Sequence, residues 1–328
     1  MKMALLKYLI CPYTREELEL KNAQIVNGEI RSGTLIAKKS GRTYPIIEYI
    51  PVMLDTATRS AASKYSEWAQ QWKDKKFEFN TTDDDAGIPI KLQRERYRFD
   101  NINVKKAVVY EAGCGGGRLT PAFYSETTEA YIALDMSSAI WETRAKHKHR
   151  KNIHFIQGDI ANSPFRDSSI DVIIALGVIQ HTKDPQTTCI GLGRVLAVGG
   201  TCIASIYMLP RNIFVRSKLA YTNCIRFVFR ILHIPSSAVR AWAWLSVLAF
   251  NRGHIFRLLG WAFFQQASYN TSDKYTWLIN YDFYHPNTYQ YSISREKTQR
   301  MFLHAGLVPL FEPPGKESEN SYVFKRFI

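Results

Sequence analysis

Apolar and polar positions along this 328-residue chain follow different periodicities in successive regions. Over residues 1–58, short alternating segments are interrupted by turn pairs, which predicts a small β-rich module built from hairpins. Over residues 59–103 the chain is polar and charged, with aromatic residues at helical spacing, which predicts an amphipathic helical linker. The residues behind these predictions are the pairs Asn27-Gly28, Ser32-Gly33 and Ser40-Gly41 and the aromatics Tyr65, Trp68 and Trp72.

Residues 104–207 alternate short apolar runs with helical stretches. Such alternation is typical of βαβ units and predicts an α/β domain with a parallel sheet and helices on both faces. Helices are expected around residues 118–126, 138–149 and 185–196. The five predicted strands are 107–112, 131–134, 153–156, 172–176 and 201–207.

The rest of the chain divides at about residue 280. Apolar residues at helical spacing over 208–280 predict a helical insertion. Residues 281–328 return to an α/β pattern that completes the preceding domain, with a helix near 294–305 and strands near 307–310 and 322–327.

Composition narrows the class of protein. The chain is 46% hydrophobic and 13% aromatic, which argues against disorder. No apolar run reaches the ~18 residues of a membrane span, and the N-terminal apolar stretch is broken by Lys7 and lacks a signal-peptide cleavage site. Five scattered cysteines without a CxxC pair fit a reducing cytosol. Secreted, membrane-spanning, fibrous and disulfide-stapled proteins are disfavoured, and a cytoplasmic location is expected.

A glycine loop is the strongest chemical signal. A predicted strand ends at Glu111, and a loop containing Gly113, Gly115 and Gly117 leads into a helix. Such glycines let the backbone approach a ligand, and the helix start offers free N–H groups. Asp135 and Asp159 end or follow the next two strands, and ligands of open α/β sheets bind at this edge. Taken singly, a packing role for the glycines and a capping role for each aspartate remain open.

This ordered series resembles the class I S-adenosylmethionine-dependent methyltransferases, most closely the methyltransferase type 11 branch. The resemblance covers 104–207 in detail and implies a Rossmann-like methyltransferase sheet, S-adenosyl-L-methionine as cofactor, and a 59–103 segment that covers the cofactor. The acid-x-Gly-x-Gly-x-Gly loop differs from the spacing of nicotinamide proteins, which disfavours an oxidoreductase. The implied cofactor residues are Glu111, Gly113, Gly115 and Gly117 in the loop, Asp135 and Met136 at the ribose, Asp159 and Ile160 at the adenine, and Leu176 beside the sulfonium.

The acceptor side is less defined. Methyl transfer is an in-line displacement that needs alignment and exclusion of water. A base helps with a hydroxyl acceptor, and His181 is the candidate because an imidazole ordinarily titrates near neutral pH. A buried, hydrogen-bonded structural histidine is the alternative at this position. His285, Tyr289 and Tyr291 are candidate substrate contacts, although aromatic packing explains each of them as well. We expect an oxygen acceptor on a small-molecule or carrier- or lipid-linked intermediate, with nitrogen and carbon open.

The charge of the chain concentrates in the insertion. Of a net charge of +14, residues 208–280 hold nine basic side chains and the single acid Asp273. The first interpretation is a helical lid that attracts an anionic acceptor. The second is contact with a membrane surface or a lipid-linked substrate. Nucleic acid, and hence an RNA methyltransferase, comes third because no RNA-binding motif accompanies the charge. An ordinary core layer with solvated arginines, or a non-catalytic partner subunit, also stays open.

Residues 1–54 resemble the Trm112-like zinc-ribbon module that is sometimes fused before such methyltransferases. Where that module binds metal, it uses two CxxC pairs, whereas this chain has Cys11, Thr14, Ala37 and Ser40 at those positions. One thiolate is too few for structural zinc. The sequence therefore predicts no metal. The module would brace the catalytic domain or cover part of its mouth, or else be a relic with no function of its own. No obligate protein partner is evident.

Overall fold

The computed structural model describes residues 1–56, 58, 90–251, 263–264, 273–285, 289–311 and 319–327. The amphipathic helix predicted around Tyr65, Trp68 and Trp72 lies outside these residues. The described residues fall into two compact units, one containing the chain up to Met208 and again from Tyr291, the other containing Leu209–Gln290.

The N-terminal module is an antiparallel meander that follows a 3₁₀ helix at Met3–Tyr8. Asn27 and Gly28 join its first two strands with φ values of 50° and 77°, as a type I′ hairpin requires, which confirms that prediction. The turn predicted at Ser32-Gly33 is wrong, because both residues lie inside the second strand. There Gly33 faces an irregular stretch of the first strand, and a Cβ on it would meet the Ala23 Cα at 3.3 Å. The strands are β1 (Leu18–Val26), β2 (Glu29–Ala37), β3 (Thr43–Ile47) and β4 (Ile50–Met53).

Five parallel strands form the centre of the first unit, and all five sequence-predicted strands are confirmed within a few residues. Their burial is nearly continuous, as expected of a parallel sheet covered on both faces. They stand in the order β7-β6-β5-β8-β9, so the chain reverses its direction of travel between β5 and β8. The strands are β5 (Val108–Ala112), β6 (Ala130–Asp135), β7 (Ile153–Gly158), β8 (Ile170–Leu176) and β9 (Leu196–Tyr207).

Two additions extend this sheet at its edges. On one side β4 pairs in parallel with β7, through Val52 with Gln157 and Met53 with Gly158, and so joins the N-terminal module to the sheet. On the other side β11 (Glu319–Arg326) lies antiparallel to β9, followed by β10 (Leu307–Phe311). Both C-terminal strands and the helix before them match their predictions.

The helix after the glycine loop is much shorter than the predicted 118–126. It spans Thr120–Phe123 and ends where Tyr124 becomes extended. Hydroxyl groups just beyond it bond locally instead, since Thr128 Oγ1 donates to the Ser125 carbonyl at 2.8 Å. The helices of the first unit are α1 (Ile90–Arg96), α2 (Thr120–Phe123), α3 (Ala139–His147), α4 (Pro185–Val195) and α8 (Arg295–His304), with 3₁₀ turns at Phe99–Asn101, Ile160–Asn162 and Ile179–His181.

The second unit is helical, as predicted for the insertion. It contains α5 (Ile213–Ile231), α6 (Ser236–Asn251) and α7 (Asp273–Tyr284). An aromatic core holds them together, in which Trp242 packs against Phe229 and Tyr284 at centroid distances of 5.6 and 6.0 Å. Over the described residues, we find no helix with the length and hydropathy needed to cross a bilayer.

Candidate active site

Three glycines shape the loop after β5 through their backbone angles. Gly113, Gly115 and Gly117 have φ values of 76°, 53° and 75°, a region that other residues rarely adopt. Two of them are also sites of close approach. A Cβ on Gly113 would lie 2.3 Å from the Val178 Cγ2, and one on Gly117 would lie 2.7 Å from the Thr143 Cγ2. The packing alternative therefore holds for Gly113 and Gly117, and the ligand role of the three glycines stays a prediction.

Helix α3 holds the loop by its carbonyl groups. Thr143 Oγ1 donates to the Gly115 carbonyl at 2.6 Å, and Lys146 Nζ donates to that of Gly116 at 3.3 Å. The His147 Nε2 lies 2.9 Å from the Gly117 carbonyl. Burial lowers the pKa of His147 to about 4, so the ring is neutral and donates from Nε2–H. Sequence reasoning missed these braces, and their one signal is the i, i+3, i+4 spacing that places them on one face of α3.

Asp135 connects the loop to the next strand. Its Oδ2 accepts from the Gly115 N–H at 2.8 Å, and its Oδ1 accepts from the N–H and hydroxyl of Ser137 at 2.8 and 2.6 Å. Burial raises the pKa of Asp135 despite these bonds. A carboxylate has about four lone-pair sites. Three are in use, which leaves one for the ribose hydroxyl predicted here, and a second becomes available if the Ser137 hydroxyl rotates away.

Asp159 lies at the end of β7, at the same edge. Its Oδ1 accepts from the Ala161 N–H at 2.9 Å, and its Oδ2 accepts from the Asn162 side chain at 3.1 Å. It thus caps the short turn that contains Ile160, as the capping alternative expects. Burial raises its pKa, and the charge of Asp55 adds to this. Because Asp55 follows β4, the N-terminal module contributes to the cofactor edge.

Leu54 makes a second contribution from that module. It packs with Val52 against the partly buried Met136 and Trp141. Met136 follows Asp135, so the apolar end of the module lies beside the predicted ribose and adenine positions. Sequence reasoning did not assign this role to Leu54, because the parallel pairing of β4 with β7 is a tertiary feature.

Glu111 is buried at the end of β5. Its Oε2 accepts from the Thr120 hydroxyl at 2.7 Å and the Tyr131 hydroxyl at 2.8 Å. Burial raises the pKa of Glu111 to about 7, against the effect of those two bonds. This carboxyl group is thus divided between its protonated and ionised forms near neutral pH.

Residues 177–181, which we call the acceptor segment, follow Leu176 at the end of β8. Gly177 has a φ of 65° and its N–H donates to the Ser205 hydroxyl at 3.0 Å. A 3₁₀ turn, Ile179–His181, comes next, and the His181 ring packs edge-to-face on Tyr207 with centroids 5.5 Å apart. The candidate base therefore lies at the carboxyl ends of β8 and β9.

Gln180 was not among the predicted site residues. Its side chain is fully buried, yet neither Nε2 nor Oε1 has a hydrogen-bonding partner within the described part of the chain. Its backbone carbonyl is satisfied by the Tyr291 N–H at 3.0 Å, and the Tyr291 hydroxyl donates to Lys183 O at 3.2 Å. Buried amides nearly always find a partner, so an unpaired one at a ligand edge requires an explanation.

The other predicted substrate residues lie in the second unit. His285 is fully buried there, with its ring against Tyr281 at a centroid distance of 5.4 Å and its Nε2 3.4 Å from the Ser236 hydroxyl. Tyr289 is half-buried. His285 is therefore surrounded as expected for aromatic packing, the alternative to a substrate contact.

Two of the residues compared with a zinc ribbon, Cys11 and Ala37, belong to the hydrophobic core. The Cys11 thiol lies 3.0 Å from the Tyr44 hydroxyl, and Ala37 is buried nearby in β2. Burial raises the pKa of Cys11, but hydrogen bonds from Thr14 and Tyr44 outweigh it and the pKa lies below its usual value. Searching the described residues gave no group of three or more His, Cys, Asp or Glu side chains able to hold a metal.

Comparison with known proteins identifies the class. A family model described as a methyltransferase domain matches residues 110–204. A ubiquinone biosynthesis O-methyltransferase of Methylococcus capsulatus is 24% identical over 54% of this chain and 73% of its own length. A malonyl-[acyl-carrier protein] O-methyltransferase of Xylella fastidiosa and a demethylmenaquinone methyltransferase of Staphylococcus haemolyticus are each 28% identical, over 39% and 42% of this chain. The matches span 44% and 56% of those two proteins, about half of their length.

The matched segment contains the glycine loop, both aspartates and the acceptor segment. The protein is a class I S-adenosylmethionine-dependent methyltransferase, and S-adenosylmethionine is its cofactor. The site fits that molecule, because three carboxyl groups at one edge suit a ligand that carries a sulfonium, an ammonium and two ribose hydroxyl donors. The anionic pyrophosphate of a nicotinamide cofactor would meet repulsion from the same groups.

Proposed function

We propose that the protein methylates an oxygen atom of a small-molecule or carrier- or lipid-linked biosynthetic intermediate. The observation that carries this proposal is the seating of Val178 on Gly113, which places the acceptor segment directly against the cofactor loop. Two of the relatives above are named as O-methyltransferases, of ubiquinone biosynthesis and of a malonyl-carrier protein.

The cofactor residues hold the donor and set its direction. Gly113 and Gly115 would face the methionine part, Asp135 would hold the ribose, and Asp159 with Ile160 would flank the adenine. Bound S-adenosylmethionine supplies an activated methyl group on a sulfonium, so no leaving group needs protonation. Leu176 at the end of β8 would keep water from the sulfonium, because an apolar side chain leaves no site for it.

His181 would take the proton of the acceptor hydroxyl. It lies one residue after Gln180 in the acceptor segment, and both follow the strand that ends at Leu176. The Gln180 amide would bind the acceptor beside the reacting oxygen, which would satisfy its buried polar atoms. Proton removal matters most for a hydroxyl of high pKa, since its neutral oxygen is a weak nucleophile.

The basic insertion, 208–280, would act as the lid and attract an anionic acceptor. It follows β9 directly in the chain, and its nine basic side chains against one acid give a positive potential. Closure over the reacting atoms would exclude water and set the pace of turnover. Tyr289, which follows the insertion in the chain, remains a candidate acceptor contact.

Calorimetry with S-adenosylmethionine tests the cofactor half. We expect micromolar affinity, ~−8 kcal/mol, and a loss of about 1.5–3 kcal/mol in Asp135→Ala. Asp171→Asn is the control, because Asp171 Oδ2 accepts from the Val108 N–H at 2.8 Å at the opposite end of the strands. Heat with NAD but none with S-adenosylmethionine or S-adenosylhomocysteine contradicts the proposal.

The pH dependence of turnover tests His181. We expect His181→Asn to lower kcat by about 10²–10⁴-fold near pH 7, with unchanged cofactor affinity and a rate that rises with pH as the acceptor ionises unaided. His149→Asn is the matched control, because that histidine is exposed just after α3. Wild-type kcat and an unaltered pH profile in His181→Asn would rule out the base.

A further inference from the structure

Helix α5 presents an apolar face outward. Ile213, Phe227 and Ile231 are 66%, 61% and 57% exposed, and their spacing places them along one stripe of the helix. Phe214, Tyr221 and Val228 widen that stripe. A helix on the surface of a globular domain normally turns polar residues to water, so this arrangement is inverted.

The inward face of α5 is already packed within the second unit. Thr222 is fully buried with its hydroxyl bonded to the Lys218 carbonyl at 3.0 Å, and Phe229 packs on Trp242 and Tyr284. The outward stripe is therefore additional to what packing of the second unit requires. On the next helix, Trp244, Leu245 and Leu248 are each about half exposed.

Basic side chains border the outward stripe. Arg216 and Arg230 are exposed and lie fourteen residues apart, close to the same azimuth of the helix and beside Phe227. The sequence holds neither Asp nor Glu from residue 209 to residue 272. A partner for this face must combine an apolar surface with negative charge.

We propose that the outward face of α5 docks on a lipid bilayer that contains anionic headgroups. The apolar stripe would enter the interface while the flanking arginines meet the headgroups, as in helices that lie in the membrane plane. A second copy of the chain fits less well, because a twofold interface would bring the same arginines of both copies together. This inference stands on the surface of α5 and does not depend on the acceptor proposed above.

Vesicle flotation of the full chain tests the docking surface. Wild type should bind vesicles of phosphatidylcholine with 30% phosphatidylglycerol at least tenfold more strongly than phosphatidylcholine alone, and less strongly as salt rises. Phe227→Glu with Ile231→Glu should reduce that binding at least tenfold, and Arg216→Glu with Arg230→Glu should remove the preference for anionic vesicles. Ile25→Glu, at a 59% exposed position of β1, and Lys105→Glu should leave binding unchanged.

Two further measurements separate docking from other causes. Far-UV circular dichroism should show wild-type helix content for the α5 variants, which shows that the helical unit still folds. Light scattering should show the same oligomeric state for wild type and Phe227→Glu with Ile231→Glu. The proposal is overturned by absence of binding to anionic vesicles, by binding that ignores lipid charge, by equal loss in the control variants, or by a dimer that these substitutions dissolve.

Discussion

The predicted cofactor side and the predicted acceptor side of the site differ in how their buried polar groups are satisfied. On the cofactor side, Glu111, Asp135 and Asp159 each accept at least two hydrogen bonds from the protein. In the acceptor segment, the buried Gln180 amide has no partner within the described part of the chain. Each carboxylate of the predicted cofactor side already has protein partners, whereas the Gln180 amide leaves its hydrogen-bonding capacity unused within the described residues.

This difference separates stability from recognition. A satisfied buried network rigidifies its surroundings, so substitutions in it should damage folding and cofactor binding together. An unsatisfied group costs free energy in the absence of a ligand and gains it back upon binding, so removing that group should stabilise the protein while weakening turnover. The two sides should therefore respond in opposite directions.

The largest expected effect is that of Gly113→Ala. The alanine would adopt an unfavourable φ, at about 1–2 kcal/mol, and its Cβ would collide with Val178, at about 1–3 kcal/mol more. We expect a lower free energy of unfolding in urea and loss of S-adenosylmethionine binding. The control is Gly199→Ala, where φ is 78° but nothing lies within 4 Å of the new Cβ. Equal losses in both variants would show that the contact with Val178 is unimportant.

Glu111→Gln tests the cofactor side through the pH dependence of the free energy of unfolding. The raised pKa of about 7 means that, between about pH 4.5 and 7, folded Glu111 retains a proton that the unfolded chain has released. The free energy of unfolding therefore falls as pH rises through this window, by at most about 3 kcal/mol. Relative to wild type, the variant should gain stability from pH 5 to pH 8 in urea melts.

Glu129→Gln is a control in which the free energy of unfolding, relative to wild type, should depend on pH in a different way. Hydrogen bonds from Lys7 and Tyr8 lower the pKa of Glu129, so its stabilising contribution is present above its unfolded pKa and is lost as pH falls. The free energy of unfolding of Glu129→Gln should therefore lie below that of wild type near neutral pH and approach it as the pH falls. Parallel pH profiles for the two variants would contradict the assignment of a raised pKa to Glu111.

Gln180→Leu should stabilise the protein, whereas Gly113→Ala should destabilise it. Removing the unpaired amide is expected to raise the free energy of unfolding by about 1–2 kcal/mol and to lower kcat/KM for the acceptor at least tenfold, with cofactor affinity unchanged. Gln157→Leu is the matched control, because its buried Nε2 donates to the Met136 carbonyl at 3.0 Å and the variant should be destabilised. Destabilisation of both variants alike would place Gln180 with the satisfied network.

The smallest effect concerns the N-terminal module. We expect elemental analysis of protein purified without chelators to find zinc well below one equivalent, because Thr14, Ala37 and Ser40 stand where ligands would be needed. Cys11→Ser should cost no more than about 1–2 kcal/mol, the value of a small buried contact. A stoichiometric zinc signal that disappears in Cys11→Ser would show that other ligands exist.

Local signals in the sequence predicted more of the cofactor side than of the acceptor side. The apolar runs predicted five parallel strands, and the loop glycines that the motif singled out are the ones with positive φ. The turn predicted at Ser32-Gly33 was wrong, because the glycine lies inside a strand, opposite an irregular stretch of its neighbour. The helix predicted around 118–126 is present but shorter, at Thr120–Phe123. Gln180, Thr143 and Leu54 were missed since their roles depend on contacts between distant segments.

The parallel pairing of β4 with β7 makes the N-terminal module a protective cap for an edge. If β4 were cut away, the backbone groups of β7 beside Gln157 and Gly158 would lose their partners and face solvent. An exposed edge of a buried, apolar strand is a template for pairing with another chain, so the truncated enzyme should aggregate. The module would then be retained because it keeps the protein soluble, independently of any part in catalysis.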